Sequence, residues 1–280
     1  MIEVVTVRGL RMAYGKVVVL EDVDLTAEAG EIVALTGVNG VGKSTLLSCV
    51  AGFRPPAEGT VSVLGGPPRD DAEFWRAVAV VADQPTWYPG LTVRELLDLV
   101  RMTHQPLAGW CLPADELVEI FGLAARADAS PLSLSSGQRQ RLSLAAALAR
   151  PSRLLLLDEP EQSLDAGFRQ ELAALLRDEY TANGGTVVMA THDHDFAVAA
   201  GARIVPLADG RVGDAAEDYY EPGDDDLPYD DAYDEDAAYD GDAADENRGD
   251  EDRGDEDRGD ENRGDEAGLT EAPDAAGHDR

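Results

Sequence analysis

Nine consecutive residues constrain this chain more than any others: Gly37-Val38-Asn39-Gly40-Val41-Gly42-Lys43-Ser44-Thr45. They read G-x-x-x-x-G-K-S, and what flanks them gives the spacing physical meaning. Residues 31–36 form a short apolar run of buried-strand character, and residues 45–51 read as the first turns of a helix. A strand that turns through glycines into a helix lets backbone amides approach a phosphate closely, with the helix N-terminus facing the negative charge. The sequence therefore predicts a nucleotide-phosphate loop formed by Gly37, Asn39, Gly40, Gly42 and Thr45 with their neighbours. Lys43 would reach the β- and γ-phosphates, and the Ser44 hydroxyl would ligate Mg²⁺.

Such a loop needs a carboxylate at the end of a neighbouring strand to hold the metal. Leu154-Leu155-Leu156-Leu157-Asp158-Glu159 supplies one: four apolar residues, then two acids. Asp158 fits the Mg²⁺ role, and Glu159 is placed to polarise an attacking water.

Around these two motifs the chain alternates strands and helices. Residues 2–7 and 17–27 are rich in β-branched residues and predict an antiparallel pair. Further strands are expected at 59–66, 78–82, 186–190 and 202–207. Helices are expected at 92–103 with Thr92 as N-cap, 115–121, 137–150, 165–181 and near 194–200. The order predicts an α/β fold with a mostly parallel sheet core, an antiparallel β subdomain, and a helical subdomain at about 86–133.

The 280 residues carry a net charge of −33, unevenly spread. From position 214 to 280 there are 29 acidic and 5 basic side chains, a difference of −24, which leaves 27 and 18, or −9, for residues 1–213. Arg-Gly-Asp-Glu-(Asp/Asn) recurs every five residues from Arg248 to Glu266. So dense a run of like charge with few apolar residues cannot bury a core, so residues 214–280 are expected to be a disordered acidic tail. Neither part offers a basic patch for nucleic acid or an anionic membrane. Two distant cysteines, Cys49 and Cys111, make no disulfide framework or zinc site and fit a reducing cytosol. The N-terminus lacks a signal-peptide pattern, and no apolar run approaches a membrane span.

Leu134-Ser135-Ser136-Gly137-Gln138 stands just before the predicted helix at 137–150. With the phosphate loop (Walker A) and residues 154–159 (Walker B), it resembles the signature of the ATP-binding-cassette (ABC) ATPases, L-S-G-G-Q, with Ser136 in place of the third-position glycine. The likeness spans about residues 1–213, with the motifs in family order. It implies that Tyr14 stacks on adenine and that Gln84 is the glutamine touching Mg²⁺ and the attacking water. By the same likeness Asp165 ends a D-loop, with Glu161-Gln162 replacing the more usual residues before it, and His192 is the switch histidine at the γ-phosphate. The catalytic set is then Lys43, Gln84, Glu159 and His192, with Ser44, Gln84 and Asp158 at the metal.

In that family two cassettes pair head to tail, so Ser135, Ser136 and Gly137 would contact ATP held by a second cassette, with Gln138 and Asp165 also expected among the nucleotide-binding residues. This chain has one set of motifs and needs a partner, as a homodimer or a heterodimer. The expected function is the ATPase subunit of a membrane transporter, cytoplasmic and peripheral to the membrane through a separate permease. The short body without an appended regulatory domain resembles exporter-type cassettes. The alternative is a soluble ABC ATPase not tied to transport, such as the iron–sulfur assembly type.

Overall fold

The computed structural model describes residues 2–81, 87–88, 90–104 and 109–213. The expectations for Gln84 and for the tail at 214–280 lie outside the described residues.

Three strands form an antiparallel sheet: β1 (Glu3–Tyr14), β2 (Val17–Glu28) and β4 (Glu58–Val63), in the order β2-β1-β4. β1 runs well past the expected end at residue 7. Register shifts between Val7 and Leu10, and again by Met12, break the period-2 pattern, so apolar alternation is lost while the ladder continues. The second sheet contains β3 (Ile32–Thr36), β5 (Val78–Val81), β6 (Leu154–Asp158), β7 (Thr186–Ala190), β8 (Arg203–Ala208) and β9 (Arg211–Val212). Its order is β5-β6-β7-β3-β8-β9, parallel throughout except for the β8–β9 hairpin.

The leucine run of β6 shows how this sheet organises the molecule. Leu155 and Leu157 face one core, with the helices α3 (Val93–Thr103), α4 (Ala114–Ile120), α5 (Ser136–Leu148) and α6 (Ala166–Ala174). Leu154 and Leu156 face the other, with α1 (Lys43–Val50) and the antiparallel sheet. Successive strand side chains point to opposite faces, so a strand covered on both sides must be apolar at every position. At about 25 cal/mol per Å² of apolar surface removed from water, each such leucine is worth roughly 2 kcal/mol.

Local signals fix the helix ends. Thr92 and Glu95 exchange hydrogen bonds as a capping box at the start of α3, and Ser135 with Gln138 does the same for α5. Gly122, at φ +62, follows the end of α4. The helix expected at 165–181 is α-helical as α6 and widens into a π-helix over Leu175–Thr181. A further short helix, α2 (Ala72–Ala77), is capped by Asp71 and has no counterpart in the sequence reading. The last helix, α7 (His194–Ala199), follows β7.

Candidate nucleotide site

The strands β6, β7 and β3 are neighbours and parallel, so their carboxyl ends share one edge of the sheet. Ligands of open parallel sheets bind at such an edge. From β3 issues the loop at 37–42, from β6 come Asp158 and Glu159, and from β7 come Thr191 and His192. The topology thereby brings together side chains more than a hundred residues apart.

The loop is shaped by contacts that exclude side chains. Gly37 has φ +142, and a Cβ there would lie 2.3 Å from the carbonyl oxygen of Leu207. Gly42, in the left-handed region, caps α1 without any side-chain bond, so the first amides of the helix remain open to an anion. Lys43 is 5% exposed, and its Nζ donates to the carbonyl oxygens of Gly37 at 2.7 Å and Val38 at 3.1 Å. Burial lowers its pKa from the usual lysine value, and the carboxylates of Glu159, Asp158 and Glu161 oppose that shift. An ammonium folded back on its own loop in this way is poised for a phosphate.

Ser44 Oγ donates to Asp158 Oδ1 at 2.9 Å. One hydroxyl and one carboxylate side by side are the oxygen donors a Mg²⁺ ion takes from a protein, since it keeps waters and shares its remaining positions with phosphate oxygens. The residues present therefore fit a magnesium–triphosphate. Glu159 follows with φ +47, a left-handed conformation uncommon outside glycine, asparagine and aspartate. Its backbone is pinned: its N–H donates to Ala190 O at 2.9 Å, and Gln140 Nε2 donates to its carbonyl at 3.4 Å and to that of Pro160 at 3.2 Å. His192 Nδ1 lies 3.8 Å from Glu159 Oε1. A cleft of about 1310 Å³ lies on the β8–β9 side of the loop, lined by Gly37 to Val41, His192, His194 and the segment from Pro206 to Gly210, with Lys43, Ser44, Asp158 and Glu159 outside its lining.

The signature residues stand elsewhere. Ser135 and Ser136 are exposed at the start of α5, and among the described residues no hydrogen bond joins 135–138 to the phosphate loop. They lie instead against the segment at 163–165. Arg141 bridges to Asp165 at 2.5 Å and covers the Phe168 ring at 4.0 Å, and Asp165 caps α6 by accepting from Phe168 N–H at 3.0 Å. That cap, ahead of the Arg141 charge, holds the Asp165 carboxyl below its usual pKa. Tyr14 sits 42% exposed at the end of β1, with the Arg54 guanidinium 5.1 Å from its ring centroid. Sequence reasoning missed Gln140 and Arg141. Their signal was helical spacing from the signature turn, which sets them three and four residues past Gly137 on α5.

The family model described as ABC transporter matches residues 20–162 of the 280. The chain belongs to the ABC transporter family. This ABC chain is 41% identical over 209 residues to the aliphatic sulfonates import ATP-binding protein SsuB 3 of Pseudomonas savastanoi pv. phaseolicola, covering 74% of each chain. Against the aliphatic sulfonates import ATP-binding protein SsuB of Mycobacterium sp. (strain MCS) it is 41% identical over 210 residues, 75% of this chain and 81% of the relative. Among solved structures it resembles an ATP-binding subunit of an ABC transporter, with TM-score 0.65 and 30% identity over 75% of this chain and 88% of that one. It also resembles a dimeric post-hydrolysis ATP-binding cassette bound to ADP and Pi, with TM-score 0.63 and 29% identity over 75% and 97%. The ABC subunit is thus an ATPase coupled to transport, using ATP and Mg²⁺. Among the described residues no helix is long and apolar enough to cross a membrane. Both relatives are named as import proteins, which gives the expected exporter role no support.

Proposed function

We propose that this chain powers a membrane importer for small oxyanionic solutes of the aliphatic sulfonate class, by closing in pairs on ATP and reopening after hydrolysis. The observation that carries the hydrolytic part is the contact of Ser44 with Asp158 at 2.9 Å beside the inward-folded Lys43. The direction of transport and the solute class rest on the named relatives.

Magnesium, when bound, neutralises phosphate charge and draws the transferred group into line. Ser44 and Asp158 hold the ion, and the loop at 37–42 with Lys43 holds the phosphates. Glu159 orients the water that attacks. His192 stands beside it toward the γ-phosphate, and Gln84 is the further residue assigned to the metal and the water by the family likeness. Tyr14 receives the adenine. Catalysis of this kind is positioning plus charge stabilisation. Ser135 and Ser136, exposed at the start of α5 without a hydrogen bond to their own phosphate loop, serve the nucleotide of a second cassette together with the half-buried Gly137 and Gln138, and Asp165 orders the turn between the two. A second copy of this chain, or a related cassette, supplies the other half. A separate permease holds the pair at the inner membrane face, and residues 1–213 form the working ATPase.

The test is uptake of labelled ethanesulfonate by cells carrying this chain with its permease, alongside ATP hydrolysis by the purified subunit. Uptake should require the intact chain, and Lys43→Ala should abolish both signals. Hydrolysis without sulfonate uptake would overturn the solute assignment, and turnover indifferent to Lys43→Ala would overturn the site.

A further inference from the structure

Two residues past Glu159 lies an acid for which the mechanism above has no use. Glu161 is 1% exposed, and among the described residues its Oε2 has no hydrogen-bond partner. Carboxyl groups are seldom buried without full pairing, because the lost hydration is not replaced. As a matter of stability alone, apolar side chains of similar size in place of both this acid and its hydrogen-bond partner would do about as well.

What Glu161 does have is a hold on the switch segment. Its Oε1 accepts a hydrogen bond from Thr191 Oγ1, and the same hydroxyl accepts from the N–H of Asp193 at 2.9 Å. Thr191 and Asp193 are the two neighbours of His192, so one carboxyl oxygen reaches the backbone on both sides of the histidine. The rest of the segment is anchored too: Thr191 N–H donates to Leu35 O at 3.0 Å, and Asp193 pairs with Arg169 at 2.9 Å. His192 Nδ1 is 3.8 Å from Glu161 Oε1, the same distance as from Glu159 Oε1. The imidazole is therefore set between an outer carboxylate that faces the reaction and an inner one that faces the fold.

We propose that Glu161 is a positioning residue for hydrolysis, which fixes His192 beside Glu159 by holding Thr191 from inside the protein. This deepens the ATPase reading and rests on it. Burial pushes the Glu161 carboxyl toward its neutral form, against the hydrogen bond from Thr191. Glutamine copies that form in shape and keeps the acceptor, whereas leucine keeps only the volume.

The test uses the full-length chain and the variants Glu161→Leu, Glu161→Gln, Thr191→Val and the Leu/Val double variant. Three quantities are read: ATP turnover, the ATP dissociation constant, and the melting temperature without nucleotide. For Glu161→Leu, kcat should fall about tenfold, as for loss of an outer-shell support, with KM and Kd for ATP held within about twofold. Its melting temperature should fall slightly, because the buried Thr191 hydroxyl loses its acceptor, and should return in the double variant, which removes both partners. Glu161→Gln should restore most of the turnover, Thr191→Val should match Glu161→Leu, and the double variant should lose no more than either. Wild-type kcat in Glu161→Leu overturns the proposal. So does an equal loss in Glu161→Gln, a turnover that returns with the melting temperature in the double variant, or losses that multiply there. Should Glu161→Leu fail to fold, Thr191→Val and Glu161→Gln decide by the same criteria. The wild type with Lys43→Ala is the control: if their turnover is alike, the ATPase reading falls, a different outcome from any of these.

Discussion

A Cβ placed on Gly137 would stand 2.6 Å from the carbonyl oxygen of Ser163. The signature turn and the segment before Asp165 are thus in direct backbone contact within one chain, and Ser163 holds its side of the contact at φ +60. Arg141, one turn further along α5, locks the same two pieces through Asp165. Any movement of the signature turn is therefore handed to the segment that begins at Glu159.

Gly137→Ala tests that contact. The added methyl has backbone in its way, and relief requires α5 or the 163–165 segment to shift. Overpacking of this kind costs about 1–3 kcal/mol, and the misplacement should lower ATP turnover by about 10²-fold. Binding of ATP to the chain's own phosphate loop should change little. Thermal unfolding, nucleotide binding by fluorescence and steady-state hydrolysis check the three parts separately.

The pairing of Ser44 with Asp158 predicts a metal phenotype. Asp158→Asn keeps the acceptor for Ser44 but removes the negative charge that favours a divalent ion. The Mg²⁺ concentration for half-maximal hydrolysis should rise about 10–100-fold, while ATP affinity without metal stays close to wild type. Magnesium titrations at saturating ATP read this directly.

Tyr180 sets a limit at alkaline pH. Its hydroxyl shares hydrogen bonds with Ser152 in the core at 3.0 and 3.2 Å, and burial pushes its pKa from 10.0 up to about 12. Below pH 10 folded and unfolded states both keep the proton, so this contribution is fully present. Above it the unfolded chain releases its proton first, and stability falls by about 1.4 kcal/mol per pH unit until the folded pKa is reached, roughly 2–3 kcal/mol in all. Tyr180→Phe should lose about 1–2 kcal/mol at neutral pH by stranding Ser152, yet show a flatter decline between pH 10 and 12. Urea unfolding of both proteins across that range gives the difference.

Removal of residues 214–280 should leave ATP hydrolysis within about twofold of the full chain at physiological salt, because every group placed at the site lies before Gly213 and salt screens exposed charges over about 8 Å. Hydrolysis rates of the chain ending at Gly213 check this at physiological and low salt.

Much of this molecule is local and was readable as such. The glycine loop, the leucines of β6, and the Thr92–Glu95 and Ser135–Gln138 boxes are each set by residues within a few positions of one another, where period and hydrogen-bonding chemistry suffice. The family likeness carried by those motifs extended to fold and activity. The short α2 left too little periodicity to see, and the far half of β1 was hidden by bulges that only pairing with β2 and β4 stabilises. In the sequence Glu161 stood out only as a departure from the usual residues ahead of Asp165. It becomes a buried group gripping Thr191, 30 residues away, because β6 and β7 lie side by side in parallel with Asp158 level with Ala190. Motifs name the chemical groups from short-range order alone. Which of them meet, and which one is shut inside, depends on strand order and register, long-range choices that hydrophobic burial makes over the whole sheet at once.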